Sequence, residues 1–114
     1  DKEKKLDLVV AASYGGRWDI LNAINKLKKS NADDVSEADL NSLLSTSRFK
    51  DPDLCIRTGK EQRISNFLLW QLAYTELYFP EILWPDFNDD EFEKAIAEYS
   101  TRTRRFGDKS NFSL

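Results

Sequence analysis

Apolar positions along the chain come in short bursts of differing period. Leu6-Asp7-Leu8-Val9-Val10-Ala11-Ala12 is a nearly continuous apolar run, the pattern of a strand covered on both faces in a parallel sheet. It ends at Ser13-Tyr14-Gly15-Gly16, where the two glycines permit a tight turn. From about Trp18 to Lys29 the period becomes helical. Ile20, Ile24 and Leu27 form one stripe with Leu21 beside it, and Lys26, Lys28 and Lys29 fill the last turn, where positive charge complements the helix dipole. Ser30-Asn31-Ala32-Asp33-Asp34 is a polar break. Ser36-Glu37-Ala38-Asp39 then resembles a capping box opening a short helix that carries Leu40, Leu43 and Leu44.

Asp53-Leu54-Cys55-Ile56 reads as a second buried strand, running out into Arg57-Thr58-Gly59-Lys60-Glu61-Gln62-Arg63-Ile64-Ser65. Ser65 or Asn66 is placed to cap an apolar helix from Phe67 to about Tyr74. Glu76-Leu77-Tyr78-Phe79 predicts a third strand, stopped by Pro80, and Trp84-Pro85-Asp86-Phe87 a rigid loop. Asn88 with Glu91 makes another capping-box-like start. The last helix is predicted to reach about Phe106, with Phe92, Ile96, Tyr99, Thr103 and Phe106 on one stripe and Gly107 at its end. The order β-α-α-β-α-β-α predicts an α/β fold, part of a parallel sheet with helices on both faces. Three strands are few for such a sheet, since parallel sheets are normally covered on both faces and have more strands.

A chain of 114 residues makes at most one small domain, and residues 1–5, all charged, are expected to fray. With 40% apolar and 32% charged residues, the composition excludes collagenous, disulfide-scaffold and disordered classes. No run approaches the ~20 apolar residues of a membrane-spanning helix. The net charge of −3 gives no global argument for nucleic acid. One cysteine, Cys55, excludes an internal disulfide and fits a reducing compartment, so a cytoplasmic protein is expected. The absence of histidine removes His-based triads and the commonest zinc ligand. No signal peptide is visible, and Asp1 in place of Met is expected of a chain whose native start lies elsewhere.

The sharpest chemical feature is the loop after the second strand. Arg57 is placed at a strand's C-terminal end, the usual ligand edge of an α/β sheet, and Arg63 and Ser65 shortly precede a predicted helix start. Two guanidiniums, a hydroxyl and free helix N–H groups form an anion site suited to diphosphate, since a single carboxylate would be over-neutralised. The alternative is surface pairing of Arg57 and Arg63 with Glu61, Asp51 or Asp53. Glu76 is the one acid between Phe67 and Phe79, and either pairs with an arginine, holds a hard cation such as Mg²⁺, or lies exposed at an element's end. Tyr14-Gly15-Gly16-Arg17 suggests a close backbone approach to something, but meets neither nucleotide-binding glycine fingerprint. The run Thr101-Arg102-Thr103-Arg104-Arg105 reads as helix-end charge, and Cys55 as inert packing. Eight of the fourteen aromatics lie between Phe67 and Phe92, which suggests a dense core or a subunit interface.

Several segments in this order resemble the C-terminal half of the cis-prenyltransferases, most closely the bacterial undecaprenyl diphosphate synthases. They are Ser-Tyr-Gly-Gly-Arg-Trp-Asp-Ile (13–20), Asp-Leu-Cys-Ile-Arg-Thr-Gly (53–59), residues 63–79, Trp-Pro-Asp-Phe (84–87) and Arg-Arg-Phe-Gly (104–107). The resemblance covers about residues 8–107. It implies a transferase that condenses isopentenyl diphosphate with an allylic diphosphate into a long Z-polyprenyl chain, undecaprenyl diphosphate being the product expected. It implies that Arg57, Arg63 and Ser65 grip the diphosphate of isopentenyl diphosphate, and that Glu76 helps to place Mg²⁺. It implies a homodimer formed through the aromatic segment, with Arg105 and Gly107 reaching toward the partner's site. A polyprenyl product further implies release at a membrane surface.

Three positions depart from the family's pattern: Lys60 replaces a glycine, Gln62 stands where relatives often carry a histidine near the metal, and Ser13 stands where asparagine is common. Lys60 is either strained or an added phosphate contact, and a metal ligand at Gln62 is in doubt. The family's first half, with its aspartate motif and allylic site, is not in this sequence. The whole chain, 1–114, is therefore expected to be the C-terminal part of a single cis-prenyltransferase domain, inactive alone. The competing readings are a non-catalytic subunit of the same fold and a generic phosphate-binding domain.

Overall fold

The computed structural model describes residues 6–31 and 33–102. Its elements run α1 (Gly16–Lys29), α2 (Glu37–Asn41), β1 (Leu54–Ile56), β2 (Glu76–Tyr78), a 3-10 turn (Trp84–Asp86) and α3 (Asp89–Ser100). β1 and β2 form a parallel pair in the register Leu54–Glu76, Cys55–Leu77 and Ile56–Tyr78. The pairing continues past both ends. Glu76 N–H donates to the Asp53 carbonyl (3.1 Å), Arg57 N–H to that of Tyr78 (3.0 Å) and Gly59 N–H to that of Ile82 (2.7 Å). Parallel strands require a long crossover. Here that crossover, residues 57–75, contains both the arginine loop and the aromatic turn that follows it.

The caps form as the sequence dictates. The Ser36 side chain accepts from Asp39 N–H while Asp39 accepts from Ser36 N–H, closing the capping box of α2. Asn88 caps α3 by accepting from Glu91 N–H (3.1 Å), but Glu91 turns its carboxylate to Lys94 (3.1 Å). α2 is shorter than the leucine spacing suggests: Leu43 and Leu44 lie in the turns beyond it, and Leu44 is buried there. The buried face of α1 is Gly16, Asp19 and Ala23 rather than the larger aliphatics, and Ile24 is 41% exposed.

Two expected elements are absent. Residues 6–12 are exposed and lie outside the sheet, so the predicted first strand does not form. A strand buried on both faces needs neighbouring strands to take its N–H and C=O groups, and the sheet among the described residues holds only β1 and β2. Residues 67–74 are a succession of turns, not a helix. Ser65 (φ +47°), Asn66 (φ +63°) and Leu68 (φ +40°) lie in the left-handed region, which interrupts any right-handed run. Side chains in this stretch bond outward as well: Trp70 Nε1 to Asn41, and Gln71 Nε2 to Thr46 (3.0 Å). The end of the predicted last helix, residues 103–106, lies outside the described residues.

The buried apolar side chains among the described residues are few: Ala23, Leu44, Leu72 and Ala95. The largest fully buried side chain is instead that of Asp19. Leu6, Leu8 and Val10 are each more than four-fifths exposed, at 82%, 85% and 81%.

Candidate functional site

Arg57 leaves the C-terminal end of β1, and its Nη1 donates to Ser65 Oγ (2.8 Å) and to the Arg63 carbonyl. The loop therefore folds back so that residues eight apart meet, and Arg57 is held by two acceptors of that loop. A guanidinium carries five N–H donors, so one engaged nitrogen leaves donors for an anion. Arg63 is well exposed and pairs with Glu61 at 3.4 Å. The alternative of surface pairing thus holds for Arg63 and fails for Arg57, which makes no ion pair among the described residues. Asp53 instead faces Lys50 at 3.8 Å.

Arg57, Arg63 and Ser65 line one cleft of about 280 Å³, with Cys55, Ile56, Ile64, Phe67 and Phe79 forming its apolar remainder. A charged lip over an apolar floor suits an amphiphilic ligand with an anionic head. Burial pushes the Cys55 thiol up, with Arg57 opposing, so the thiol stays protonated at neutral pH.

Gly59 (φ +91°) and Lys60 (φ +64°) both lie in the left-handed region. A Cβ at Gly59 would meet nothing within 4 Å, so this glycine answers a conformational demand and not a spatial one. Lys60 meets the same demand with a side chain, which is the strained alternative of the two that its position allowed. Gln62 is exposed.

Glu76 sits elsewhere. It pairs in register with Leu54, at the opposite end of the strand pair from Arg57, ~10 Å away along the strand direction. Its carboxylate accepts from Arg102 Nη1 (3.2 Å), and the same nitrogen donates to the Leu77 carbonyl (2.6 Å). Arg102 also reaches Glu98 (3.5 Å). The basic run at the end of α3 thus contributes one specific lock between helix and strand. Among the described residues no three metal-ligating side chains cluster. Glu76, engaged by Arg102 and remote from the arginine loop, does not fit a magnesium site shared with that loop in one copy of the chain. Arg105 and Gly107 lie outside the described residues.

Asp19 was not marked by its sequence context. Its carboxylate accepts from Tyr14 Oη (2.8 Å), Ser45 N–H (2.9 Å), Ser45 Oγ (2.8 Å) and Gln71 Nε2 (3.3 Å). Burial works against its charge, but the bonds from Ser45, Tyr14 and Gln71 outweigh it and hold the carboxyl below its ordinary 3.8. Tyr14, desolvated and bonded to that carboxylate, is pushed up to about 12. The only available signal was the helical spacing of Asp19 with Gly16 and Ala23, which an acidic side chain in a helix's first turn disguises as dipole complementation.

The fold and loop define an α/β chain with an arginine–serine cleft at the carboxyl end of a parallel strand pair. Residues 1–107 match the family described as "Putative undecaprenyl diphosphate synthase", and the chain belongs to that family. An isoprenyl transferase of Aquifex pyrophilus is 56% identical over 106 residues, spanning 93% of this chain and 46% of the relative. A Legionella pneumophila (strain Paris) protein named ditrans,polycis-undecaprenyl-diphosphate synthase ((2E,6E)-farnesyl-diphosphate specific) is 51% identical over 110 residues, spanning 91% and 46%. The crystal structure of lavandulyl diphosphate synthase from Lavandula x intermedia, in complex with dimethylallyl diphosphate, superimposes with a TM-score of 0.79 at 44% identity. It covers 83% of this chain and 44% of that one. The chain spans less than half the length of these relatives. No helix among the described residues is long and apolar enough to cross a membrane.

Proposed function

We propose that this chain supplies the isopentenyl diphosphate site of a prenyltransferase that extends an allylic diphosphate into a Z-polyprenyl diphosphate. The observation that carries the reading is the Arg57–Ser65–Arg63 cluster on the lip of an apolar-floored cleft. Diphosphate oxygens meet guanidinium donors there, and the hydrocarbon part of the substrate meets Ile56, Ile64, Phe67 and Phe79. The lock on Arg57 lowers the entropy lost when the anion arrives, because that side chain is already held. Names of the relatives support prenyl transfer and diphosphate substrates.

The reading includes an allylic site and a hydrophobic channel contributed by sequence outside this chain. It also includes two copies pairing through the aromatic segment, which agrees with the exposure of Phe67 (39%) and Tyr74 (55%). Mg²⁺ belongs to it as an expected partner of the substrate's diphosphate. Among the described residues no three metal-ligating side chains cluster to hold it.

Arg63→Ala in the full-length enzyme tests the reading. Loss of a charge-assisted phosphate contact is expected to cost about 1.5–3 kcal/mol, or about ten- to a hundredfold in isopentenyl diphosphate affinity. Allylic diphosphate affinity should change little. Equal loss for both substrates would overturn the assignment.

A further inference from the structure

Ser65, read above as an anion ligand, presents its hydroxyl to Arg57 from an unfavourable backbone conformation. Ser65 and Asn66 stand at φ +47° and φ +63°, a left-handed pair that L side chains rarely adopt. A local device must maintain it. α1 offers one: its N-cap is Gly15, which has no side chain to satisfy the first helical N–H groups. Those groups are taken by a residue fifty positions away. Gly16 N–H donates to the Asn66 carbonyl (2.6 Å) and Arg17 N–H to Asn66 Oδ1 (2.9 Å).

The glycine pair is shaped for this contact. A Cβ on Gly16 would come within 2.7 Å of Leu69 Cγ and 3.1 Å of the Asn66 carbonyl oxygen. One on Gly15 would come within 3.1 Å of Asn66 Nδ2. The close approach that the Tyr14-Gly15-Gly16-Arg17 turn suggested is therefore to the Ser65–Leu69 turn and not to a nucleotide. The Tyr14 ring reinforces it, meeting Phe67 edge to face at 5.7 Å. On the other side of Asn66, Ser65 Oγ accepts from Arg57 (2.8 Å).

We propose that Asn66 is a positioning residue: by capping α1 from outside the helix, it fixes the Ser65 hydroxyl against Arg57 and so sets the anion cleft. Asparagine suits both tasks, as the non-glycine residue most tolerant of the left-handed region and one of the best helix caps. This inference rests on the reading of Arg57, Arg63 and Ser65 as diphosphate ligands.

The test measures affinity for inorganic diphosphate by titration calorimetry, in metal-free buffer, on the full-length protein. Asn66→Ala removes the side-chain bond to Arg17 N–H and the conformational preference, leaving the backbone bond to Gly16. Asn66→Gly removes the same side-chain bond and keeps the left-handed backbone accessible, so it carries the comparison if the alanine variant fails to fold. Loss of one cap is expected to raise Kd about fivefold. In a Ser65→Ala background the same change should raise Kd hardly at all, because Asn66 acts through Ser65. A general loss of stability would weaken binding equally in both backgrounds. Unchanged Kd in the Asn66 variants, or an undiminished effect without the Ser65 hydroxyl, overturns the proposal. Arg63→Ala is measured alongside. A folded Arg63→Ala protein with unchanged diphosphate affinity would overturn the cleft assignment itself, and the positioning role with it.

Discussion

Lys60 shows how one side chain can work against its own backbone. It follows Gly59 in the left-handed region at φ +64°, where a Cβ is disfavoured. Lys60→Gly is therefore expected to stabilise the protein by about 0.5–1 kcal/mol, less than the full conformational relief because glycine also loses more freedom on folding. Urea denaturation of the full-length protein would show it as a higher midpoint at unchanged slope. A lower midpoint would mean that the lysine makes a stabilising contact worth more than its strain. Residue types singled out Arg57, Arg63 and Ser65 as candidates, because two guanidiniums and a hydroxyl near a strand end can hold an anion, with surface ion pairing as the alternative. They could not mark Asn66 or Asp19, whose importance lies in partners far away in sequence.

Elements of this chain are held together as much by polar nodes as by apolar packing. Asp19 joins α1 to the turn before it, to the loop after α2 and to the aromatic turn. Two pH dependences follow. The Asp19 carboxyl lies lower in the folded state than its ordinary 3.8, so between those values the unfolded chain binds more protons. Its contribution is complete above pH 3.8 and is lost as pH falls through the folded value. Tyr14 behaves in the opposite sense. Its hydroxyl is held to about 12 against 10.0 in the unfolded chain, so its contribution is complete below pH 10 and is lost as pH rises toward 12. Denaturation midpoints across pH should fall at both ends. Asp19→Asn should flatten the acid limb and Tyr14→Phe the alkaline one, each with about 1–3 kcal/mol of destabilisation at neutral pH from the broken network. Limbs of unaltered slope in both variants would remove the node from the stability account.

At the scale of the whole molecule, the described residues form a two-stranded parallel sheet with few buried apolar side chains and leave much apolar surface exposed, the run from Leu6 to Ala12 above all. Large exposed apolar surface marks a face that takes a partner. Together with coverage of less than half of each relative named above, this predicts that the 114-residue chain by itself is catalytically silent. Supplied with isopentenyl diphosphate, an allylic diphosphate and Mg²⁺, it should yield no radiolabelled product, and turnover by the isolated chain would refute the expectation. Supplying the missing part of the fold on the same polypeptide should restore product.

What the sequence determined by itself is whatever depends on near neighbours. The capping box at Ser36–Asp39, the Asn88 cap and the turn that brings Ser65 to Arg57 are set within a few residues of chain, and all are present. Tertiary structure decided whatever depends on a distant partner. Periodicity reports which residues want to be buried but not whether a neighbouring strand arrives, so Leu6–Ala12 reads as a strand and lies exposed outside the sheet. The apolar run from Phe67 reads as a helix, but Asn66 and Leu68 are drawn into left-handed conformations as the turn closes on Gly16, and it becomes turns. Glu76, legible as an acid needing a cation, meets Arg102 because α3 packs beside β2. Local preferences of this kind are small beside the burial and hydrogen bonding of the assembled fold, which therefore decides them.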